Sequence, residues 1–254
     1  MGLAIGALRA VVSALPTPPR ERHWLAKAQR YAGAAAEPLD VRMTKWNALF
    51  FDDLEDLLRP DFRAGLGPID KLAYLNPERE RMAGLSTLGT LLLANFTSYL
   101  PDDLLVKTDR CTMANSLEAR CPFLDRDLTE YVAALPDALK LRGARTKIVL
   151  REAFADLLPP AIERRSKMGF GVPLGAWFRG ELRDYVRDLL LAPNARYRDM
   201  LSGPFVEQLV RDHMEERRNL GQQLWSLLCF EEWLRLLPGW TRPTATPEPA
   251  VASS

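Results

Sequence analysis

The 254-residue sequence contains few of the residues that build disulfide frameworks and metal sites. It has three cysteines, Cys111, Cys121 and Cys229, and no two of them show the C-x-x-C spacing of zinc and redox motifs. Its two histidines, His23 and His213, stand far apart in the sequence. These counts exclude a small secreted domain held by disulfides. They predict no metal site and a reducing, cytoplasmic location.

A strong net charge and long apolar runs are also missing. Lysine and arginine (34) nearly balance aspartate and glutamate (33), which leaves a formal net charge of +1. Neither a nucleic acid nor a membrane is therefore predicted as a partner. No apolar stretch approaches the length of a membrane span, and the apolar opening, residues 1–20, lacks the leading basic residue of a secretory signal.

Alternating apolar and polar residues, which predict half-buried strands, are nearly absent. The stretches KLRG (140–143) and ARCPFLD (119–125) are the two short extended candidates. Apolar residues instead recur at helical spacing, with an N-cap signal at Ser86 and helix stops at Pro60 and Pro136. The sequence therefore predicts a mainly α, bundle-like fold.

Composition divides the chain into a central domain and two loosely packed ends. Residues 1–40 contain the stretches ALPTPPR and AGAAAEP, and residues 241–254 read TRPTATPEPAVASS. Proline, threonine, serine and alanine at this density are typical of disordered ends. We expect poor order at 1–40, one folded domain at 41–240 and disorder at 241–254.

The stretch RRSKMGFGVPLGAWFRG (164–180) does not look like ordinary scaffolding. Lys167 stands two residues before the first of two glycines that flank Phe170, and an ammonium group on a flexible side chain suits phosphate oxygens. Gly169 and Gly171 would let backbone amides approach an anion without a Cβ in the way. The alternative interpretation is an ordinary loop lysine near a helix end.

Three blocks read together resemble the asparagine synthetase family. SYLPDDLLVKTDRCTMANSLEARCPFLD (98–125) resembles a signature block of that family, the stretch 164–180 is similar to a later loop, and LGQQLWSLLCFEEWLR (220–235) is similar to the terminal helix. Three blocks in the family's order are more specific than any one of them. The resemblance implies the helical carboxy-terminal portion of an α/β adenine-nucleotide-hydrolase-like domain, with the central parallel sheet largely missing.

The same resemblance implies a chemistry. Asparagine synthetases use ATP and Mg²⁺ to activate the aspartate side chain as an AMP ester, and ammonia from glutamine then forms the amide. The family's lysine at the place of Lys167 contacts the ATP phosphates. Lys167 is therefore the candidate catalytic residue, and Lys167, Gly169 and Gly171 form the candidate phosphate site. Relatives that close lactam rings use the same architecture, so the acid and the amine stay open.

Two features of the family do not occur in these 254 residues. The SGGxDS pyrophosphate loop and the acidic SGDGGDE-type segment are both missing, and Gly2 stands where the glutaminase domain has its catalytic cysteine. We therefore expect the carboxy-terminal part of a synthetase domain, inactive alone, that a second polypeptide with the missing segments completes. The alternative is a non-catalytic helical relic or interaction module from a truncated or split gene.

Five more charged residues are candidates for lining the synthetase cleft. Lys107, Asp109 and Arg110 fall on one predicted helix, either as a solvated or ion-paired face or as a border of the cleft. Glu118 and Arg120, together with Asp125, surround the apolar run Pro122-Phe123-Leu124. For these charged residues a buried structural ion pair is the favoured interpretation, and cleft lining is the alternative.

Three further expectations concern packing. Cys121 is expected in the core, because a small apolar residue would fit its place. His213 is expected at a solvated helix end. The tryptophans and leucines from Trp225 to Leu237 recur at near-helical spacing and are expected to pack in the core.

Overall fold

The computed structural model describes residues 37–157, 159–163, 165 and 171–240. Over these residues the chain is mainly α-helical, as the sequence predicts, and its only strands form one two-stranded hairpin. None of the described helices is both long and apolar enough to span a bilayer. Residues 1–36 and 241–254 lie outside the described residues, so the expected domain boundaries remain predictions.

The chain forms two compact units, which are described separately below. The first unit combines residues 37–69 and 172–240, and the second is Asp70–Gly171.

The first unit begins with three short helices, α1 (Leu39–Asn47), α2 (Leu54–Leu57) and α3 (Pro60–Leu66). Pro60 lies in the first turn of α3, where its missing N–H costs no hydrogen bond. The helix before Pro60 ends at Leu57, as the predicted stop requires, and this proline also starts the next helix.

The second unit is a series of short helices around a small hairpin. Its helices are α4 (Arg79–Met82), α5 (Thr87–Thr97), α6 (Val106–Met113), α7 (Arg126–Ala134), α8 (Asp137–Lys140), α9 (Ile148–Ala153) and α10 (Pro160–Glu163). Two 3₁₀ turns and a π-helical turn lie at Ala73–Glu78, Pro122–Leu124 and Leu100–Leu105. Strands β1 (Leu141–Arg142) and β2 (Arg145–Thr146) pair antiparallel.

Local sequence signals in the second unit have mixed outcomes. Ser86 caps α5, as predicted, because its Oγ accepts a hydrogen bond from the backbone N–H of Gly89 at 2.9 Å. Within KLRG, Leu141 and Arg142 form β1, so the extended prediction is confirmed for these two residues. ARCPFLD forms no strand, so that prediction is wrong. Pro122 has no N–H to donate to a sheet, and it opens a 3₁₀ turn instead.

Most apolar side chains of the second unit are exposed. Among its described apolar residues, Leu75, Ala94 and Ile148 are buried. The exposed large ones are Tyr74, Leu85, Leu92, Phe96, Tyr99, Val106, Met113, Leu117, Phe123, Leu128, Tyr131, Leu141, Phe154 and Leu157. Exposed apolar side chains in such number mark surfaces that another polypeptide can cover.

The rest of the first unit holds its hydrophobic core. Its elements are α11 (Leu174–Arg179), α12 (Arg183–Leu190), a 3₁₀ turn (Arg196–Asp199), α13 (Gly203–Met214) and α14 (Gly221–Trp240). The side chains that this core buries completely include Phe178, Val186, Leu190, Tyr197, Val206 and Leu224. Tyr197 donates its hydroxyl hydrogen to the carbonyl oxygen of Leu190 at 2.6 Å, which satisfies the buried phenol.

The apolar stripe of α14 packs only in part as the sequence predicts. Leu227 and Leu228 are buried, which confirms the prediction for these leucines, whereas Leu236 is 54% exposed and contradicts it. Trp225 and Trp233 are 49% and 44% exposed, so the prediction of core packing is wrong for both tryptophans. They are eight residues apart and so share a face of the helix that the core does not cover.

Candidate functional site

An open cavity of about 530 Å³ lies in the second unit. Its lining residues are Leu105, Thr108, Asp109, Ala119, Arg120, Cys121, Pro122, Leu124 and Asp125. All nine belong to the block 98–125. The local fold therefore brings the middle and the end of this block to one cavity.

A reversal of the chain after α6 forms one wall of the open cavity. Ser116 adopts a left-handed backbone conformation (φ 58°), and the N–H of Leu117 returns to the carbonyl oxygen of Thr112 at 3.0 Å. This turn ends the helix and directs the following segment, residues 119–125, back along α6. Thr108 and Asp109 on α6 therefore face the same cavity as that segment.

Asp125 fixes the far end of the returning segment. Its Oδ1 accepts a hydrogen bond from the backbone N–H of Leu128 at 3.0 Å and so caps α7. This cap holds one carboxylate oxygen on the helix, beside the residues that line the cavity. The cavity therefore combines a guanidinium, from Arg120, with the carboxylates of Asp109 and Asp125.

The structure brings two of the five predicted cleft residues to this cavity. Asp109 and Arg120 line it, whereas Lys107, Arg110 and Glu118 are not among its lining residues. Lys107 and Arg110 are exposed on α6, and no ion pair between described residues includes them. Both side chains are therefore solvated, and a position in the synthetase cleft remains a prediction for all five residues.

The ion pair between Glu118 and Arg120 exists but is not buried. Arg120 Nη2 lies 2.8 Å from Glu118 Oε1, and the two side chains are 81% and 68% exposed. The prediction of a buried structural pair is therefore wrong. Phe123 beside it is also exposed, so the apolar run supplies no core there. Ion pairs in this setting contribute only about 0–1 kcal/mol to stability.

Cys121 is exposed, so the prediction that it packs in the core is wrong. It follows Arg120 in the returning segment, and both residues line the cavity. Its neighbours in that wall are polar as well as apolar, because the segment lies at the surface of its unit.

The predicted phosphate site falls mostly on residues that the structure does not describe. Lys167 and Gly169 lie outside the described residues. Gly171 is described and exposed, and no atom lies within 4 Å of the position that a Cβ would take there. The structure therefore shows no steric need for glycine at residue 171, and the role of all three residues in phosphate binding remains a prediction.

The described residues do not by themselves fit a Mg²⁺ site. Within the part of the chain that the structure describes, no group of three or more histidine, cysteine, aspartate or glutamate residues is placed to hold a metal ion. Mg²⁺ prefers an octahedral shell of oxygen ligands, which two carboxylates at an open cavity do not complete.

His213 is a buried polar residue that sequence reasoning missed. Its side chain is completely buried near the end of α13, so the prediction of a solvated helix end is wrong. Leu209 precedes it by four residues and is also buried, and that spacing puts both on the core side of the helix. The spacing was therefore a signal that could have located His213.

Glu231 is a second buried polar residue that was missed. Its two carboxylate oxygens accept hydrogen bonds from the backbone N–H groups of Arg196 (3.1 Å) and Tyr197 (2.9 Å) and from Arg235 Nε (2.8 Å). The carboxylate therefore caps the 3₁₀ turn Arg196–Asp199 and links it to α14. It is a structural group rather than part of the cavity.

Comparison with known proteins is consistent with the motif blocks. A sequence profile of the family described as asparagine synthase matches residues 7–235. Asparagine synthetase [glutamine-hydrolyzing] 1 of Bacillus subtilis (strain 168) is 31% identical over 148 residues, which cover 58% of this chain and 23% of the relative. No solved structure matches the chain.

Two further relatives match shorter stretches. Amidase chyE of Penicillium rubens is 36% identical over 104 residues, which cover 38% of this chain and 16% of the relative. Asparagine synthetase [glutamine-hydrolyzing] of Gallus gallus is 39% identical over 104 residues, which cover 37% of this chain and 18% of the relative. The chain thus spans 16% to 23% of the length of these three relatives.

Proposed function

The chain belongs to the asparagine synthase family, and we propose that it supplies the helical part of an ATP-dependent synthetase that makes a carbon–nitrogen bond. The proposed reaction is adenylation of the aspartate side chain, followed by amide formation with ammonia released from glutamine. The names of the Bacillus and Gallus relatives support this choice of substrates. The proposed location is the cytoplasm, where ATP and amino acids are at hand.

The observation that best supports this proposal is which residues line the cavity. All nine lining residues come from the block that resembles a synthetase signature, and none comes from another part of the second unit. A block that folds back to line one cavity fits a role in substrate binding. Arg120 can pair with a substrate carboxylate, and Asp109 can pair with an ammonium group, as an amino acid substrate requires.

In the proposed mechanism, the stretch 164–180 binds the phosphates and the cavity binds the acid. ATP activates the carboxylate as a mixed anhydride with AMP, and pyrophosphate departs. We assign Lys167 to the departing pyrophosphate, because its ammonium group can follow oxygens whose charge grows in the transition state. Gly169 and Gly171 leave backbone amides open to the same phosphates. Arg120 orients the acid.

These 254 residues do not by themselves supply a complete adenylation site. The sequence contains neither SGGxDS nor an SGDGGDE-type segment, and the described residues hold no metal site. We propose that another polypeptide segment with these motifs completes the site. The exposed apolar side chains of the second unit support this proposal, since they offer a surface for such a segment.

We expect no turnover from these 254 residues alone. Catalysis needs the nucleotide, the acid and the amine to be positioned together, and one basic loop cannot orient all three. The test is to purify the chain, supply aspartate, ammonia, ATP and Mg²⁺, and measure pyrophosphate release. The matched control is Lys167→Ala. Pyrophosphate release well above that of the Lys167→Ala chain would contradict the proposal that the site is incomplete.

The second candidate function is a helical interaction module without catalysis. The exposed tryptophans of α14, Trp225 and Trp233, favour it, because aromatic side chains of this kind are enriched in protein interfaces. Genomic context separates the two functions. A neighbouring or continuous reading frame with SGGxDS and SGDGGDE-type motifs favours the enzyme, and a genome without one favours the module.

A further inference from the structure

Helix α11 is held against the start of α14 by one close contact between their backbones. Gly175, in the first turn of α11, follows Lys167 by eight residues. It packs against Gly221, the first residue of α14. A Cβ on Gly221 would lie 2.8 Å from the backbone nitrogen of Gly175 and 3.1 Å from its Cα. Glycine is therefore required at 221 for this contact, because a methyl group would push α11 away.

The His213 side chain fastens the same contact. Its Nε2 lies 3.1 Å from the carbonyl oxygen of Gly175, and the backbone N–H of Leu220 donates to its Nδ1 at 3.0 Å. Because Nδ1 accepts a hydrogen bond, the ring proton is assigned to Nε2, which donates to Gly175. One neutral ring thus connects the first turn of α11 to the residue before α14. Its Nε2–H donates one hydrogen bond, and its unprotonated Nδ1 accepts the other.

A protonated ring cannot keep both bonds. The second proton would sit on Nδ1 and point at the N–H of Leu220, so that two donors would face each other. Arg179 adds a second obstacle, because its Nη1 lies 3.5 Å from Nε2 and is positively charged. The arrangement therefore holds only while the imidazole is neutral.

The surroundings of the ring both lower and raise the pKa of His213. Burial is the largest influence and lowers the pKa of His213, and the Arg179 guanidinium on α11 lowers it further. The hydrogen bond to the carbonyl oxygen of Gly175, the nearby backbone of Arg218 and the Glu216 carboxylate after α13 raise it. The net direction is a pKa below the ordinary value of about 6.5.

We propose that His213 is a pH-sensitive latch: its neutral ring fastens α11 to the start of α14, and protonation of the ring releases α11. His213 acts through other residues, so it is a positioning residue and not a catalytic one. The direction of the pH effect follows from the burial of the His213 ring. A released chain binds a proton near pH 6.5, whereas the latched state resists protonation. The latch is therefore complete above pH 6.5 and weakens as the pH falls below it, by up to about tenfold in its opening equilibrium per pH unit.

Amide hydrogen exchange of the full chain measures this opening directly. We compare pH 7.5 with pH 5.5, after correction for the intrinsic pH dependence of exchange. The N–H of Leu220 and the first amides of α11, Ala176 and Trp177, should open about 3- to 10-fold more often at pH 5.5, while the amides of α12 do not. An equal increase in α12 would show global unfolding and would overturn the latch.

The variant His213→Gln removes the titrating group. A glutamine amide can donate to Gly175 or accept from Leu220 and carries no charge at either pH. We expect more opening than in the wild type at pH 7.5 and no further increase at pH 5.5. The same pH dependence in His213→Gln as in the wild type would overturn the proposal.

A second measurement does not depend on that variant folding. Nitrogen-15 NMR of the imidazole rings, assigned with His23→Gln, should show His213 as the Nε2–H tautomer, with a titration midpoint below the ordinary value of about 6.5. Gly221→Ala, which opens the contact without altering the histidine, should move the midpoint up towards 6.5. Gly65→Ala is the matched control, since no atom lies within 4 Å of its Cβ position. A His213 midpoint at or above the ordinary value of about 6.5 would overturn the latch.

One consequence rests on the proposed function. If Lys167 contacts ATP phosphates, release of α11 loosens the segment that carries it. In the completed enzyme, the acid limb of the pH–rate profile for kcat/KM should then flatten in His213→Gln. An unchanged acid limb would overturn this consequence. The exchange and NMR experiments contain no ATP and therefore test the latch by itself. If the completed enzyme does not use ATP, the proposed function is wrong, but the latch is not contradicted.

Discussion

Replacing Lys167 by alanine should lower aspartate adenylation by about 10²- to 10³-fold in a complete enzyme that contains this chain. The expected size is that of one strong transition-state contact, because charge on the departing pyrophosphate grows as the anhydride bond breaks. The measurement is aspartate-dependent exchange of radiolabelled pyrophosphate into ATP. The acid's own affinity should change little, since we assign the acid to the cavity with Arg120 and not to this loop.

Two matched variants make the Lys167 result specific. Lys167→Arg should recover little activity, because a planar guanidinium does not reproduce a compact ammonium group. Arg165→Ala removes a nearby positive charge, on a side chain that is exposed, and should cost no more than a few-fold through weaker long-range attraction. Near-normal exchange in Lys167→Ala, or an equal loss in Arg165→Ala, would remove Lys167 from the mechanism.

Glu231→Ala should lower the free energy of unfolding by about 3–5 kcal/mol, the cost of removing one partner from a buried charged network. The carboxylate is fully buried and accepts from the backbone N–H groups of Arg196 and Tyr197 and from Arg235 Nε. Alanine leaves both N–H groups without acceptors in a core that excludes water. The measurement is urea denaturation of the full chain, followed by circular dichroism.

Glu232→Ala is the matched control, one residue along the same helix. Glu232 accepts a hydrogen bond from the Tyr185 hydroxyl at 3.0 Å in an exposed position, so its loss should cost less than about 1 kcal/mol. Glu231→Gln keeps one acceptor oxygen and should fall between the two, at about 1–3 kcal/mol. A loss below about 1 kcal/mol in Glu231→Ala would contradict a structural role for this carboxylate.

Local patterns in the sequence predicted the helices but not the polar contacts between them. The cap at Ser86 depends on Gly89, three residues away, and could be identified from neighbouring residues. The partners of Glu231 and His213 lie 34 to 38 residues away for the bonds to Tyr197, Arg196 and Gly175. Helical spacing could place these two side chains on the core side, but only the fold shows which backbone groups they bind.

The candidate site was also only partly predictable. The motif block 98–125 was identified as one signature, and it does form one cavity. The burial of its members was predicted wrongly for Cys121 and the Glu118–Arg120 pair, because apolar neighbours such as Phe123 suggested a core. The second unit has few buried side chains of its own, and no local pattern reveals that. Whether a side chain is buried depends on packing against residues that are distant in the sequence.

Complementation is the most direct test of the claim that this chain supplies one part of an adenylating site. The chain is mixed with a polypeptide that carries the SGGxDS loop and the SGDGGDE-type segment, and aspartate-dependent ATP–pyrophosphate exchange is measured. We predict exchange in the mixture, none from either polypeptide alone, and a loss of exchange when the mixture contains Lys167→Ala. Exchange by the chain alone, or a stable complex of the two polypeptides that shows no exchange, would contradict that claim.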